Sequence, residues 1–175
     1  SVWATSTMRN GGEDICQILY LLGVQPIWDG PSRRVIDLEI IPLSILNRPR
    51  VDVTLRISGM FRDAFPQLIS LTHKAITLVS NLDEDFNLNP ILESFNNSNS
   101  LNRIFGSAPG SYGAGLQELI SNSSWDNNND FAESYLNWSK WIYSDTNEPI
   151  ENKKELENVL KNIQLVIHNQ DNKEH

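Results

Sequence analysis

The residues equipped for chemistry in this sequence gather in four polar turns, at residues 6–14, 58–63, 107–115 and 168–175. The first, Met8-Arg9-Asn10-Gly11-Gly12-Glu13-Asp14, sets two glycines and two carboxylates ahead of an apolar periodic run. Free backbone N–H groups at such a helix start could hold an anion. Glu13 and Asp14 would repel one. They suit a general base or a carboxylate that hands on a metal ion, and equally a first turn that complements the helix dipole. The second turn runs Arg56-Ile57-Ser58-Gly59-Met60-Phe61-Arg62-Asp63. Its two guanidinium groups could clamp an anion; the alternative is a helix cap at Ser58 with charges at the surface. Arg62 and Asp63, adjacent in sequence, point differently on a helix and need not pair.

The third turn, Pro109-Gly110-Ser111-Tyr112-Gly113-Ala114-Gly115, is dense in glycine. Its spacing is not that of a dinucleotide fingerprint, and no Gly-Lys-Ser/Thr follows to make a phosphate loop, so no ATP site is expected. Tyr112, held between glycines, could stack on a flat ligand, or the glycines could simply make the turn. In the fourth, His168 and His175 flank Asn169-Gln170-Asp171-Asn172 and offer base or metal-handling groups. Two histidines in one loop do not make a metal motif, and the ligand set of any metal stays unknown. His73 falls inside a helical stretch and reads as a packing or surface residue. No Ser/His/Asp order suggests a nucleophilic triad.

The elements that must position these turns alternate between strand and helix. Strands are predicted at residues 2–5, 24–28, 35–41, 51–57, 103–106 and 165–167. Helices are predicted at 15–22 with Gly23 as C-cap, at 61–82 with Pro66 in the first turns, and at 116–120, 131–143 and 151–162. Residues 43–46 make a helical turn at most. Residues 83–102 read as a polar insertion or crossing loop with a short helix near 91–95, between α/β core segments 1–82 and 103–175. The alternation argues an α/β fold, layered, with a mainly parallel sheet flanked by helices. In such sheets ligands collect at the carboxyl ends of the strands, and all four polar turns leave such ends. The aromatic cluster Trp125, Tyr135, Trp138, Trp141 and Tyr143 reads as core or interface.

Composition narrows the function classes. The chain is 39% hydrophobic and 21% charged, enough for a packed core. Its net charge of −8 argues against a nucleic-acid partner. Residues 1–75 hold eight basic against seven acidic residues, whereas 76–175 hold six against fifteen. The single Cys16 excludes an internal disulfide and fits a reducing, cytoplasmic compartment. No apolar run approaches the roughly 20 residues that span a bilayer. The chain opens directly on an apolar stretch and closes just after another, so a fragment of a longer protein is expected.

The same turns carry a family resemblance. The blocks TSTMRNGGEDICQILYLLGVQPIW, RRVIDLEIIPLSILNRPRVDVTLRISGMFRDAFPQLISL, RIFGSAPGSYGAGLQELI, AESYLNWSKWIYS and VIHNQDNKEH occur in this order. They resemble the large subunits of cobaltochelatase and magnesium chelatase over nearly all the chain, residues 83–102 and 144–160 apart. VTLRISGMFRDAFP and FGSAPGSYGAGLQ look like the cobalt enzyme.

The resemblance implies a fragment of the tetrapyrrole-binding subunit of a ligase that forms nitrogen–metal bonds. That subunit inserts Co²⁺ into hydrogenobyrinic acid a,c-diamide in cobalamin biosynthesis. ATP is then bound by AAA+ ATPase partner subunits, and the rest of the large subunit completes the cavity. Alternatives are Mg²⁺ insertion into protoporphyrin IX or a non-catalytic tetrapyrrole-binding scaffold. The matched motif positions would place Glu13, Asp14, Asp63 and His175 among proton- or metal-relaying groups. Met8, Arg9, Gly11, Gly12, Arg56, Ser58, Phe61, Arg62, Gly110, Tyr112, Gly113, Gln170 and Asp171 would contact substrate, with Arg9, Arg56 and Arg62 holding its peripheral carboxylates.

Overall fold

The computed structural model of the chain describes residues 1–145 and 148–169. In chain order the elements are α1 (Ala4–Arg9), α2 (Glu13–Leu22), β1 (Val24–Trp28), β2 (Val35–Ile40), α3 (Leu43–Leu46), β3 (Leu55–Ile57), α4 (Gly59–Ala64), α5 (Pro66–Ser80), α6 (Pro90–Ser98), β4 (Ile104–Gly106), α7 (Gln117–Asn122), α8 (Asn128–Ser139), β5 (Trp141–Ile142), β6 (Ile150–Glu151) and α9 (Lys153–Lys161). The α/β class predicted from the alternation holds. One sheet has the order β3-β4-β5-β6, and β1 and β2 form a separate antiparallel hairpin.

The parallel part of the main sheet lies at the β3 side. Leu55 faces Ile104 and Ile57 faces Gly106 in parallel register. On the other edge of β3, Val2 bridges Ile57, also in parallel. Ser1 extends the series: its N-terminal group donates to the Ile167 carbonyl at 2.8 Å, and Asn169 N–H donates back to Ser1 O at 3.3 Å. That exchange is the hydrogen-bond pattern of a parallel pair. Beyond β4 the pairing turns antiparallel, through β5 to β6.

Two cores cover the sheet. The larger packs Ile15, Ile18, Leu19 and Leu22 of α2 and Ile69, Ala75, Ile76 and Val79 of α5 against Val2, Leu55, Ile57 and Ile104. Phe105, pointing to the opposite face from Ile104, joins Ile142 and Leu156 in a smaller one. No helix among the described residues is long and apolar enough to cross a membrane.

Several predicted elements are shorter than their sequence pattern, each for a local reason. The chain is extended only to Trp3 and is helical from Ala4, so residues 2–5 contribute a single bridging residue. Residues 51–54 alternate like a strand but have no ladder partner; Asp52 instead forms an ion pair with Arg103 at 2.8 Å. The long helix predicted over 61–82 is two helices. Phe65 takes φ −131° and ψ 47°, because Pro66 excludes helical geometry from the residue before it and opens α5 at its own first position. The helix predicted over 131–143 stops at Ser139, and Trp141 and Ile142 pair with β4. Residues 165–167 are exposed and extended rather than a strand. Within residues 83–102, Asn89 and Ile91 are fully buried, and α6 presents its polar residues outward from Ile91 in the main core.

The largest fully buried side chain is that of Arg50, 1% exposed. Its Nη1 donates to the Leu22 and Gly23 carbonyls at 3.2 and 2.9 Å, and Nη2 to Ile41 O at 3.1 Å. The Leu22 carbonyl lies at the open end of α2 and the Ile41 carbonyl just past β2, while Gly23 O also accepts from Ile41 N–H at 2.9 Å. Glu84 neutralises the guanidinium through two bonds of 2.7 and 2.8 Å. Gly23, at φ 79°, ends α2 in the left-handed region, and a Cβ there would collide with the Arg50 guanidinium.

Two outcomes are expected. Arg50→Met should destabilise the fold by about 3–5 kcal/mol in urea unfolding, because it strands the Glu84 carboxylate and the Leu22 and Ile41 carbonyls. The hydrogen bonds from Arg50 hold the Glu84 carboxyl below its ordinary value of 4.5. That stabilisation is complete above pH 4.5 and is lost as pH falls through the depressed folded value. Glu84→Gln should therefore flatten the stability loss in that acid window, read from urea midpoints at successive pH values.

Candidate functional site

Parallel pairing sends the polar turns out of one end of the sheet. Residues 167–169, residues 1–3, β3 and β4 all run the same way. Their carboxyl ends release Asn169, the start of α1, Ser58 with α4, and the 107–115 turn.

Side-chain bonds knit these ends together. Ser58 is the N-cap of α4 and its Oγ accepts from Phe61 N–H at 3.1 Å. The same oxygen accepts from Ala4 N–H at 3.4 Å, so one hydroxyl caps two helix starts. Asn169 Oδ1 accepts from Trp3 N–H at 3.1 Å, and its Nδ2 donates to Asp14 Oδ2 at 2.6 Å. Thr7 Oγ1 donates to that same oxygen at 2.6 Å. Trp3 Nε1 donates to His168 Nδ1 at 3.4 Å, with the two rings edge to face. Gly59 brings α4 against the third turn, where a Cβ would meet the Ser111 carbonyl.

The two arginines predicted as an open anion clamp are both buried. Arg56 Nη2 donates to Gly113 O at 2.8 Å and Nε to Ser139 Oγ at 3.4 Å. Its guanidinium lies over the rings of Trp3 and Tyr135, 5.7 and 5.9 Å from their centroids. Arg62 pairs with its neighbour Asp63, through Nε–Oδ1 at 2.6 Å and Nη2–Oδ2 at 2.9 Å. Arg62 Nη1 donates to Ala108 O at 2.6 Å. Neither guanidinium is left facing outward, because the loop carbonyls around them need donors more than solvent does.

Electrostatics follow these pairings. Burial lowers the Arg56 pKa from its ordinary value. The hydrogen bonds from Arg62, helped by Tyr112, hold the Asp63 carboxyl low despite its partial burial. The Tyr112 phenol, donating to Asp63 Oδ2 at 2.8 Å, is pushed up by that bond and the adjacent negative charge.

The groups turned outward at this end are Met8, Arg9, Glu13, Met60, Tyr112 and His168. Gly11 and Gly12 adopt positive φ, 64° and 89°, with open space where a Cβ would stand. Gly110 is likewise open, whereas Gly113 lies against Gln117. Phe61 is buried in the main core and touches no surface. Gln170, Asp171 and His175 lie outside the described residues.

The structure adds Trp3, Thr7, Met60, Ser111, Ser139, Tyr143 and Asn169 to the residues that build the site. Of these, Thr7, Met60, Ser111 and Asn169 stood inside turns already marked as polar and Tyr143 in the aromatic cluster; Trp3 and Ser139 carry no local signal. Among the described residues no group of three His, Cys, Asp or Glu side chains is arranged to hold a metal ion. The end of the sheet is an open face. A groove of about 380 Å³ lined by Cys16, Tyr20 and Ile45 lies instead between α2 and the hairpin.

Comparisons with known proteins agree on the family of the chain. The family model described as CobN/Magnesium Chelatase matches residues 1–175. The aerobic cobaltochelatase subunit CobN of Pseudomonas aeruginosa is 46% identical over 100% of this chain and 15% of that protein. The chloroplastic magnesium-chelatase subunit ChlH of Oryza sativa is 29% identical over 81% of this chain and 11% of its own length. Among solved structures, the catalytic subunit of cobaltochelatase from Mycobacterium tuberculosis superposes with a TM-score of 0.83 at 43% identity, over 89% of this chain and 14% of that one. The chain thus spans no more than 15% of the length of these curated relatives. It belongs to the CobN/magnesium chelatase family.

Proposed function

We propose that this chain is part of the tetrapyrrole-binding catalytic subunit of an ATP-dependent cobaltochelatase, in which the carboxyl end of the sheet forms one wall of the macrocycle site. The observation that carries the reading is the meeting of three polar turns and the described start of a fourth, His168 and Asn169, at one end of the sheet, in a chain 46% identical to a cobaltochelatase subunit. The lower identity to a magnesium-chelatase subunit, 29%, favours cobalt over magnesium. The substrate is hydrogenobyrinic acid a,c-diamide and Co²⁺ is the metal inserted, in the cytoplasm. ATP is hydrolysed by AAA+ partner subunits, and the rest of the large subunit closes the cavity.

Metal insertion requires removal of the pyrrolic N–H protons, loss of the metal's water shell and a fixed ring. Glu13 suits the first task. It stands exposed in the first turn of α2, beside the two glycines that keep the approach open. Asp14 is already committed to Thr7 and Asn169, so it orients the turn that carries Glu13. Arg9, on the exposed side of α1, can hold a peripheral carboxylate. Met8, Met60 and the Tyr112 ring supply apolar contact for a flat ring.

The test is cobalt insertion by the full-length subunit with its ATPase partners. Glu13→Gln should lower kcat on the order of 100-fold, as loss of a general base does, while macrocycle affinity measured by tryptophan quenching changes little. Unchanged insertion would remove Glu13 from the site. Insertion of Mg²⁺ into protoporphyrin IX in preference to cobalt would overturn the metal assignment.

A further inference from the structure

We infer that Arg62 and Asp63 are positioning residues that lock the 107–115 turn and aim the Tyr112 ring at the macrocycle, so that Asp63 is not the proton acceptor. This rests on the tetrapyrrole reading above and names how one wall of that site is held.

Every edge of the Arg62 guanidinium is used inside the protein. Nε and Nη2 grip the two oxygens of Asp63. Nη1 sits among the carbonyls of Ala108, Ser107 and Ser111, at 2.6, 3.3 and 3.4 Å. A turn with positive φ at Gly110, Gly113 and Gly115 has little stiffness of its own. Arg62 fixes its near side from within. Tyr143 fixes the far side by donating to Ser107 O, and the Gly59 backbone leaves no gap between α4 and Ser111.

Asp63 Oδ2 is shared between Arg62 and the Tyr112 hydroxyl. The phenol is thereby pinned at one end, while the Arg62 guanidinium lies 5.6 Å from the ring centroid. One face of the ring rests on a cation, and the residue as a whole is 59% exposed. A ring held this way is a platform for a flat conjugated ligand on its outer face. Asp63 itself is a poor base. Its negative charge is matched by Arg62, and both of its oxygens already accept hydrogen bonds. The titratable groups that face this pair are Tyr112 and Tyr143. Tyr112 remains a donor, as its raised pKa requires.

The experiment uses the full-length subunit with its ATPase partners, hydrogenobyrinic acid a,c-diamide and Co²⁺. It compares Asp63→Asn, Tyr112→Phe, the double variant and Arg62→Lys. Each single change should raise KM for the macrocycle about tenfold, the equivalent of one hydrogen bond, and more than it lowers kcat. The double variant should be no worse than either single, because both break the same contact. Asp63→Asn should keep the acid limb of the kcat profile, and limited proteolysis within residues 107–115 should quicken in it. Loss of that acid limb would make Asp63 the base and overturn the inference. So would multiplying effects in the double variant or unchanged cleavage of the turn. Tyr112→Phe alters an exposed hydroxyl and keeps the test available if Asp63→Asn does not fold. A wild-type subunit that fails to bind the macrocycle would overturn the functional reading instead, and the cleavage arm would still decide whether Asp63 locks the turn.

Discussion

Buried guanidinium groups hold this structure where its strands cannot. The ladders of the main sheet are two or three residues long, so most backbone carbonyls at their ends have no partner in the sheet. Arg50, Arg56, Arg62 and Arg103 are each 9% exposed or less, and each donates to carbonyls of the adjoining turns. Three of them carry a carboxylate partner at short range: Glu84, Asp63 and Asp52. A planar group with several donors in a fixed fork satisfies a bent loop that no ladder reaches. The cost of burying the charge is met by the acid beside it.

This explains which parts of the fold were legible in the sequence. The amphipathic α2, its Gly23 cap, the hairpin strands and the position of the glycine-dense turn follow from periodicity and turn chemistry, and they stand where those signals put them. What a local pattern could not supply was the partner. Residues 51–54 alternate like a strand, yet the neighbouring ladder begins only at Ile104, so the alternation goes unused. Arg56 and Arg62 have the residue type of an anion clamp, and nothing nearby in sequence reveals the Gly113 and Ala108 carbonyls that claim them.

The site was legible as a set of places and less so as a set of roles. Three of the turns and the described start of the fourth, His168 and Asn169, do come together, because parallel pairing fixes which end of each strand they leave. Within them the structure separates groups that sequence alone treats alike. Glu13 and Asp14 are adjacent carboxylates in one first turn, but Asp14 is bound by Thr7 and Asn169 while Glu13 faces outward. Ser58 and Ser111 look like ordinary loop serines. One caps two helices, and the other lends its carbonyl to the Arg62 cluster.

The contact of residues 1–3 with residues 167–169 has a temporal meaning. Those segments are separated by 166 positions along the polypeptide, and Trp3 N–H finds its acceptor on Asn169. Pairings of such long range form late, after the loop-closure entropy has been met elsewhere. During synthesis, a ribosome must release the whole of this stretch before Trp3 N–H acquires its acceptor. The region around Asp14 is thus among the last to settle, and a nascent chain halted short of Asn169 would display α1 and α2 joined by the Thr7–Asp14 bond but without the bonds from Asn169 to Trp3 and Asp14.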